Sequence, residues 1–342
     1  MTAGPTRGRL LDIVERFGRV KVLAIVDLVA DEYIYGRISR VSREAPVLIL
    51  EHDRTQVVPG GGANAVANIA SLGGRPLTVG LIGKDAPGQQ LLAEFRRARI
   101  DTSAISSRPS YHTPTKTRIL AGGPNATKQQ VVRIDHNSHV NSAGGIRREI
   151  QRAVAELLPR VDVVMVSDYG YGLVSTELSR SLVKRAASLR KLAILDSRYN
   201  ILDHPGFAAA TPNEPEVEAA LGVEHGDDEA AVERSGRRML RRLRGQAVVM
   251  TRGSKGMMLF EPRRTARHIP VFGTDEVADV TGAGDTVIST FTLAVGAGAT
   301  FYEAALLANF AGGIVVMKRG TATVSGDELT AAVGSDPSLD KD

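Results

Sequence analysis

The stretch Val161-Asp-Val-Val-Met-Val-Ser167 and the stretch Leu192-Ala-Ile-Leu-Asp196 are two short apolar runs, and a helical pattern from Thr176 to Ser188 lies between them. Both runs are apolar along most of their length instead of alternating with polar residues. This is typical of strands that are buried on both faces of a parallel sheet. The two stretches therefore predict a strand, a covering helix and a second, parallel strand.

The same rhythm continues in both directions along the chain. Further buried strands are predicted at Val20–Val26, Leu77–Ile82 and Ala247–Thr251, and further helices at Asn64–Leu72, Gln89–Ala98, Ile146–Leu158 and Glu229–Leu243. This order predicts an α/β fold with an open, mostly parallel sheet covered by helices on both faces. Ligands of such sheets bind at the carboxyl ends of the strands.

Two segments, 33–58 and 113–134, break this rhythm. They are rich in Tyr, Ile, Val and Thr with partial alternation and have no helix caps, which favours a small β layer outside the main sheet. We interpret this layer as a lid. The residues before the first strand predict a short helix, and the tail after Val333 has the composition of a flexible end.

Composition excludes several classes of protein. The 342 residues include no cysteine, which excludes disulfides, zinc–thiolate centres and cysteine nucleophiles and makes the reducing cytoplasm the expected location. No apolar run approaches the roughly 18 residues that cross a bilayer. The net charge is only +5 and aromatic residues make up 4% of the chain. This disfavours nucleic acid as a partner and favours small anionic molecules.

The strongest local signal is Asp279-Val-Thr-Gly-Ala-Gly-Asp285-Thr286, which an apolar helical pattern follows. Glycines at a helix start let backbone N–H groups point at an anion, and the helix dipole adds about half a positive charge there. A carboxylate at this place would repel a phosphate, but it is useful if it takes a proton from an attacking hydroxyl. The pattern indicates phosphoryl transfer with Asp285 as the base. The alternative is an Asp that only stabilises the first helical turn.

A second glycine-rich turn, Pro59-Gly-Gly-Gly-Ala-Asn64, opens another predicted helix. Its glycines permit close approach of a ligand and Asn64 offers a donor and an acceptor to a polyol, the alternative being a tight turn with an Asn cap. Asp27 and Asp31 follow the first strand and suit sugar hydroxyls, although isolated acids are more often solvated. Asp168, which follows another strand, is expected to point into the ligand crevice.

Two further segments bear on nucleotide binding. In Thr211-Pro-Asn-Glu-Pro-Glu216, Asn213 and Glu216 lie three residues apart before a helix, so they can hold a hydrated Mg²⁺ against phosphate oxygens or form half of a capping box. Thr251-Arg-Gly-Ser-Lys-Gly256 lacks the P-loop spacing, and no segment shows G-x-G-x-x-G, so the common P-loop and dinucleotide classes are excluded. His136 and His139 lie in a polar loop without surrounding carboxylates, which disfavours a zinc site.

Taken together, these clusters resemble the ribokinase-like (PfkB) family of sugar kinases in order and spacing, from about Val20 to Ser325. The resemblance implies a three-layer α/β sandwich with a mostly parallel central sheet and a small β-sheet lid. It implies transfer of the γ-phosphoryl group of ATP to a sugar hydroxyl. Several segments look most like the heptose 7-phosphate kinases of ADP-heptose synthesis: Tyr33–Gly36, Ser39–Ser42, Glu44–Pro46, Asn68–Gly73, Ser167–Tyr169 and Gly320–Ser325.

The narrower resemblance implies that the anomeric hydroxyl of D-glycero-D-manno-heptose 7-phosphate is the acceptor. A kinase for ribose, fructose or a fructose phosphate is the alternative, and a sugar-phosphate sensor without catalytic activity is a third hypothesis.

The resemblance also implies roles for matching positions in this sequence. Asp285 would be the base, and the N–H groups of Gly282, Ala283 and Gly284 would form the anion hole. Asp31, Gly60, Gly61 and Asn64 would bind the sugar, whereas Asn213, Glu216, Thr251, Gly253, Gly256 and Asn309 would bind the nucleotide. ATP and Mg²⁺ are the implied cofactors, with Glu216 holding Mg²⁺ through water, and K⁺ near Asp279 is a further implication.

Two positions depart from the heptose kinase pattern. Val26 stands where a glycine is usual, which predicts a tighter sugar crevice. Tyr171 stands where a lysine is expected, which removes a cation from the neighbourhood of phosphate; Arg198 is expected to restore it. On the lid, Lys116, Arg118 and Arg133 are alternative partners of a substrate phosphate, since a sugar phosphate needs cationic partners.

The predicted organisation is one kinase domain over residues 18–330, with an N-terminal extension over 1–17 and a flexible tail over 334–342. Some heptose enzymes carry a C-terminal nucleotidyltransferase with a His-x-Gly-His signature, which is not found here, so we expect kinase activity alone. An exposed lid layer often pairs with a second copy to cover its edge, which predicts a homodimer through the lid. No membrane or nucleic-acid partner is expected.

Overall fold

The computed structural model describes residues 5–123, 128–140, 145–273, 279–318 and 320–340. Its strands are β1 (Lys21–Val26), β2 (Leu28–Val41), β3 (Leu48–Gly61), β4 (Arg75–Gly83), β5 (Ile105–Arg108), β6 (Thr115–Gly122), β7 (Gln129–His136), β8 (Val163–Asp168), β9 (Leu192–Ser197), β10 (Ala209–Ala210), β11 (Ala247–Thr251), β12 (Met257–Phe260) and β13 (Arg267–Ile269). Its α-helices are α1 (Arg7–Glu15), α2 (Gly62–Ser71), α3 (Ala86–Arg97), α4 (Ile146–Leu157), α5 (Thr176–Ser188), α6 (Glu214–Leu221), α7 (Glu229–Leu243), α8 (Ala283–Gly296), α9 (Phe301–Val316) and α10 (Gly326–Ser335).

Nine strands form the main sheet in the order β13-β12-β11-β10-β9-β8-β1-β4-β5. Every pairing from β5 to β11 is parallel, and only the β11–β12 and β12–β13 pairings are antiparallel. The predicted α/β fold with a mostly parallel sheet is therefore confirmed. The carboxyl ends of β1, β8, β9 and β11 all meet at one edge of this sheet.

Helices cover both faces of the sheet because successive strand residues point to opposite sides. In β1, Val22, Ala24 and Val26 join a core beneath α1, α2, α3, α8, α9 and α10. Leu23 and Ile25 join a second core beneath α4, α5, α6 and α7. The strand is buried on both sides, which explains why its sequence is apolar throughout.

The predicted lid is a separate four-stranded sheet in the order β3-β2-β6-β7. The β2–β3 and β6–β7 pairs are antiparallel, whereas β2 and β6 run parallel, so the sheet is mixed. Strand β2 leaves the end of β1 after one residue, Asp27, which places the lid directly above the carboxyl edge of the main sheet. Residues 124–127 of the predicted lid segment lie outside the described residues.

The two ends of the chain pack together. Leu10 and Ile13 of α1 are fully buried in the core that also holds Leu329 and Val333 of α10, so the described part of the predicted extension belongs to the main core. The predicted tail begins inside α10 and continues as a 3₁₀ turn over Pro337–Asp340. Residues 1–4 and 341–342 lie outside the described residues, and flexibility of the tail stays a prediction. Among the described helices, none is long and apolar enough to cross a bilayer.

Candidate active site

A cavity of about 420 Å³ lies between the carboxyl edge of the main sheet and the lid. Strand ends, the lid and the start of α8 all contribute to it. The lining residues are Asp31, Gly61, Lys116, Arg118, Arg133, Tyr169, Asp196, Arg198, Thr211, Asn213, Glu216, Thr251, Val280, Thr281, Gly282, Gly284, Asp285 and Thr321. Most of the clusters that the sequence singles out therefore meet around one space.

Asp285 lies in the first turn of α8 and is only 4% exposed. Its Oδ2 accepts a hydrogen bond from Asn64 Nδ2 at 3.0 Å, and its Oδ1 accepts one from the hydroxyl of Tyr169 at 2.8 Å. Burial raises the pKa of Asp285 to about 7, although both hydrogen bonds act in the opposite direction. A carboxyl with this pKa can accept a proton near neutral pH.

Gly282 caps the N-terminus of α8 in a left-handed conformation, with φ of +82°. A β-carbon at this position would lie 2.6 Å from Asn64 Nδ2, so glycine is required both by the backbone and by the neighbouring side chain. The turn brings Gly282 and Gly284 to the cavity surface, with Ala283 behind them. The N–H of Ala283 donates to the carbonyl of Val280 at 3.3 Å. The amides of Gly282 and Gly284, at the cavity surface, are therefore better placed to hold an anion at this helix start.

On the lid side, Asp31 is buried and forms an ion pair. Its Oδ1 accepts a hydrogen bond from Arg118 Nη1 at 2.7 Å and its Oδ2 accepts one from Thr321 Oγ1 at 2.8 Å. The alternative of a merely solvated acid therefore does not hold for Asp31, which is 3% exposed. A β-carbon on Gly60 would lie 2.5 Å from the carboxyl carbon of Asp31, so a glycine at this position makes room for Asp31. Of Gly60 and Gly61, Gly61 is the one that lines the cavity.

Three more cations surround the cavity. Burial lowers the pKa of Lys116, whose Nζ lies 5.1 Å from the ring centre of Tyr169. Arg133 lines the outer rim and pairs with Asp135 at 2.8 Å. Arg198, at the end of β9, lines the cavity from the main sheet. Among the described residues neither Lys116 nor Arg198 forms an ion pair with a carboxylate.

Carboxylates gather on the opposite wall, beside α6. Asn213 and Glu216 form a complete capping box, with Glu216 Oε2 accepting from Asn213 N at 2.9 Å and Asn213 Oδ1 accepting from Glu216 N at 2.8 Å. Burial, and next the charge of Glu216, raise the pKa of Asp196 well above its ordinary range, and burial also raises the pKa of Glu216. Two half-buried carboxylates that repel each other are a donor set suited to a hydrated Mg²⁺.

The predicted nucleotide contacts divide between two places. Thr251 lines the cavity, whereas Gly253 and Gly256 lie in the turn between β11 and β12, outside it. Asn309 of α9 donates to the carbonyl of Pro270 at 2.9 Å. Pro270, Arg252 and Lys255 border a second, shallower cleft on this side of the molecule.

Asp168 is not in the cavity, which corrects the sequence expectation. Its Oδ2 accepts from Ser197 Oγ at 2.6 Å and lies 3.7 Å from His204 Nε2, and its Oδ1 accepts from Gly170 N. The physical reason is the alternation along the strand, which turns Asp168 inward and lets the following Tyr169 face the cavity. Asp168 therefore has a packing role under the site.

Asp279, the expected monovalent-cation residue, lies beside the cavity. Its Oδ1 accepts from Thr281 N at 2.9 Å and its Oδ2 accepts from Gly320 N at 3.0 Å. Burial acts to raise the pKa of Asp279, but these hydrogen bonds lower it overall. Residues 274–278, directly before Asp279, lie outside the described residues.

Neither of the two residues that depart from the heptose kinase pattern lines the cavity. Val26 packs on Gly62 in the core and does not line the cavity, so the predicted narrowing of the crevice is not seen. The hydroxyl of Tyr171 donates to Asn137 Oδ1 at 3.2 Å, also outside the cavity. Arg198 does line the cavity, and its role as the replacement cation stays a prediction.

Sequence reasoning missed Tyr169, Asp196 and Thr321 as site residues. The signal that could have identified two of them is position, because Tyr169 and Asp196 stand at the carboxyl ends of neighbouring parallel strands. Thr321 carries no comparable signal. The arrangement as a whole offers a base, amide donors, cations and paired carboxylates around one cavity, which is suited to phosphoryl transfer to a hydroxyl.

Comparison with known sequences agrees with this geometry. The family described as pfkB family carbohydrate kinase matches residues 23–327. The bifunctional protein HldE of Geobacter metallireducens is 38% identical over 316 residues, which cover 92% of this chain and 63% of that protein. The bifunctional protein HldE of Paramagnetospirillum magneticum is 35% identical over 95% of this chain and 65% of its own length. The chain thus spans somewhat less than two thirds of these relatives.

Solved structures show the same fold. Phosphofructokinase-2 from Escherichia coli in complex with potassium superposes with a TM-score of 0.75 at 17% identity, covering 94% of this chain and all of that one. Arabidopsis thaliana ribokinase complexed with ribose and ATP superposes with a TM-score of 0.71 at 17% identity, covering 93% and 99%. The three-layer ribokinase-like arrangement predicted from the sequence is confirmed.

Proposed function

Because the chain belongs to the pfkB family of carbohydrate kinases, and is therefore a phosphotransferase that acts on sugar hydroxyls, we propose that its acceptor is a phosphorylated sugar. We propose heptose 7-phosphate, in the D-glycero-D-manno form, with the anomeric hydroxyl as the acceptor and ATP as the donor. The observation that carries this proposal is the pair of cations, Lys116 and Arg198, in the same cavity as Asp285.

The chemistry assigned to the chain is proton transfer and charge stabilisation. Asp285 takes the proton of the sugar hydroxyl as its oxygen attacks the γ-phosphorus, and the bond from that phosphorus to the β,γ-bridging oxygen breaks to leave ADP. The amides at Gly282 and Gly284 hold the charge on the transferring group, and the amide of Ala283 joins them when it leaves the carbonyl of Val280. Asn64 and Tyr169 fix both oxygens of Asp285, which orients the carboxylate before the substrate binds.

A free sugar would give Lys116 and Arg198 nothing to pair with. A buried ammonium whose pKa is lowered by burial gains stability from an anion, and a guanidinium binds phosphate in a bidentate manner. Arg118 is already engaged by Asp31 and Arg133 by Asp135. We therefore assign the sugar phosphate to Lys116 and Arg198, a narrower set than the lid cations named from the sequence.

The heptose assignment rests on the segments that resemble heptose 7-phosphate kinases and on relatives of 35–38% identity. The fructose phosphate alternative would use the same cations, whereas ribose and fructose would not. For the nucleotide, we propose that Asn213, Glu216 and Asp196 hold hydrated Mg²⁺ and that Thr251, Gly253, Gly256 and Asn309 border the base. When bound, Mg²⁺ neutralises charge on the phosphate oxygens. We also propose K⁺ dependence through Asp279.

The experiment is a panel of acceptors with ATP: heptose 7-phosphate, heptose, fructose 6-phosphate, fructose 1-phosphate, fructose and ribose. We expect heptose 7-phosphate to give the highest kcat/KM. Preference for fructose or ribose would overturn the sugar-phosphate proposal, and preference for a fructose phosphate would overturn the heptose assignment alone. No turnover with any acceptor would favour the sensor hypothesis.

The Arg198→Gln variant tests the cation directly. We expect it to lower kcat/KM for heptose 7-phosphate by about 10- to 100-fold, with a smaller effect on heptose, because a charge-assisted pair is worth about 1.5–3 kcal/mol. Arg180→Gln, which removes an exposed arginine from α5, is the matched control. Equal losses with both sugars would mean that Arg198 serves the ATP phosphates instead.

We further propose that a second copy of the chain covers the lid, in the cytoplasm. Every residue of edge strand β7 is exposed, and large apolar side chains on the lid are at least 40% exposed: Ile38, Val41, Val47, Leu48, Val131, Val132 and Ile134. Light scattering should give a dimer for the wild type and a monomer for Val132→Lys. A wild-type monomer at micromolar concentration would overturn the dimer.

A further inference from the structure

A cluster of two carboxylates and one imidazole lies on α6 and in the loop that follows it, away from the cavity. Glu214 and Glu218 are one helical turn apart and so lie on the same side of α6, and His225 follows the end of that helix. Glu216 is two positions from each glutamate, which places it on the opposite side, where it lines the cavity. The cluster is therefore separate from the catalytic carboxylates.

His225 has the unusual position in this cluster. Its side chain is 1% exposed, and neither ring nitrogen has a hydrogen-bond partner within the described part of the chain. Burying an imidazole without partners costs free energy, since both nitrogens lose their water. A buried donor or acceptor of this kind calls for a ligand.

The distances point to the kind of ligand. Nδ1 of His225 lies 3.5 Å from Oε1 of Glu214 and 3.5 Å from Oε1 of Glu218. This is longer than a hydrogen bond. Ligands of a tetrahedral zinc ion are about 2.0–2.2 Å from the metal, so they lie about 3.3–3.6 Å from one another. The three ligand atoms, which are all within 4.8 Å of one another, therefore match a metal site better than a hydrogen-bonded triad.

The charges around the cluster also favour a cation. Arg252 donates from Nε to Glu214 Oε2 at 2.9 Å, which leaves Oε1 of Glu214 directed toward His225. The same guanidinium forms two hydrogen bonds to Glu229. Glu214 and Glu229 thus both contact this guanidinium, whereas Glu218 pairs with no lysine or arginine within the described residues. The three carboxylates exceed the one guanidinium by two negative charges, which suits a divalent ion. Glu218 Oε1 also accepts from the backbone N–H of His225, which holds this segment beside the helix.

We propose that Glu214, Glu218 and His225 bind a divalent transition-metal ion of the zinc class. An imidazole with two carboxylates, and water as a fourth ligand, suits Zn²⁺, whereas Mg²⁺ and Ca²⁺ prefer oxygen ligands alone. The ion joins the end of α6 and the following loop to the start of that helix. Because Asn213 and Glu216 cap the same helix, the site stabilises the wall of the nucleotide region from behind. It is independent of which sugar the enzyme uses.

The experiment uses the full chain after treatment with EDTA and gel filtration. Co²⁺ is titrated as a spectroscopic probe in the presence of excess Mg²⁺, which occupies the carboxylates proposed as the magnesium site in the cavity. Zn²⁺ is then added to displace the Co²⁺. We expect one Co²⁺ per chain with the visible bands of a four- or five-coordinate site, loss of these bands on addition of Zn²⁺, and a higher Tm with Zn²⁺ present.

Two variants and two controls locate the ion. Glu218→Gln and His225→Gln should each weaken Co²⁺ binding by at least about 100-fold; Glu218 is 28% exposed, so its variant is expected to fold. Glu224→Gln removes an exposed carboxylate next to His225, and Glu216→Gln removes one from the cavity; both should leave the cobalt spectrum unchanged. Circular dichroism checks that all four fold.

Two results would overturn the metal site. The first is a wild-type chain that binds no Co²⁺ or Zn²⁺ after gel filtration. The second is binding that Glu216→Gln abolishes and that Glu218→Gln leaves intact, since the metal would then sit in the cavity.

Discussion

The hydroxyl of Tyr169 donates a 2.8 Å hydrogen bond to Oδ1 of Asp285, from a position 116 residues earlier in the chain. Tyr169 is itself held from below, because Oδ2 of Asp27 accepts its backbone N–H at 2.8 Å. The ends of β1 and β8 and the start of α8 therefore cooperate to place one carboxylate. Burial raises its pKa and the two donors oppose that effect, with a result of about 7. The pKa of the proposed base is thus close to ordinary cellular pH.

The first prediction concerns Asp285→Asn. Without a proton acceptor, kcat should fall by about 10²–10⁴-fold, the usual contribution of a general base. The KM for ATP and the thermal stability should change little, because an amide keeps the size of the side chain and can still accept the hydrogen bond from Asn64. Steady-state kinetics and isothermal titration with ATP check this. An unchanged kcat would remove Asp285 from the proposed mechanism.

The second prediction concerns pH. As a base, Asp285 works when ionised, so kcat/KM should rise with pH and level off above about 7. Tyr169→Phe removes a hydrogen bond that lowers the pKa of Asp285, so the pKa should rise further. The acidic limb of the profile should move to higher pH by about one pH unit, given what a hydrogen bond to a charged group is worth.

Tyr199→Phe is the matched control for that experiment, because Tyr199 is 68% exposed and does not line the cavity. Its profile should overlay that of the wild type. A limb that stays in place or moves to lower pH in Tyr169→Phe would contradict the role given to the phenol.

The sequence predicts the elements of this fold well where burial alone decides them. Thr176–Ser188 and Glu229–Leu243 are helices with the predicted bounds, because their apolar positions recur on one face and a side chain caps each start. The turn from Gly282 to Asp285 could also be predicted from local sequence, since a glycine pair before a helical pattern indicates it without information from the rest of the chain.

Partners across the fold could not be predicted. Tyr169 and Asp196 stand at the carboxyl ends of β8 and β9, a pair of strands that the sequence does predict. No local pattern indicates that the start of α8 meets them there. Asp168 shows the opposite error: one residue along the chain decides whether a side chain at a strand end faces the cavity or the interior. Gly60 was assigned to ligand approach, whereas it gives space to Asp31.

The third prediction concerns Gly282→Ala. The positive φ and the 2.6 Å approach to Asn64 Nδ2 mean that a methyl group strains the backbone and displaces Asn64 from Asp285. We expect a loss of stability of about 1–2 kcal/mol from the left-handed conformation alone, together with a fall in kcat. Urea unfolding and kinetics measure both. Gly284→Ala is the stability control, since nothing lies within 4 Å of its added carbon; equal losses of stability in the two variants would contradict the argument.

The last prediction concerns Asp27, which is buried beneath the site. Burial, and next the charge of Asp168, raise the pKa of Asp27 from 3.8 to about 7. The folded state therefore holds this proton more tightly than the unfolded state, and the resulting stabilisation is complete below about pH 4 and is lost as pH rises through 7.

Asp27→Asn keeps an oxygen for the N–H groups of Tyr169 and Tyr171 and does not titrate. The wild type should therefore lose more stability than the variant between pH 5 and pH 8, by about 2–4 kcal/mol in the free energy of unfolding. The raised pKa of Asp285 makes stability fall with rising pH in the same way. Because Asp285 is present in both proteins, Asp27→Asn keeps part of the pH dependence. Urea unfolding at both pH values tests this, with the exposed Asp12→Asn as control. If the free energy of unfolding changes equally with pH in the wild type and in Asp27→Asn, Asp27 stays ionised in the folded chain and this prediction is wrong.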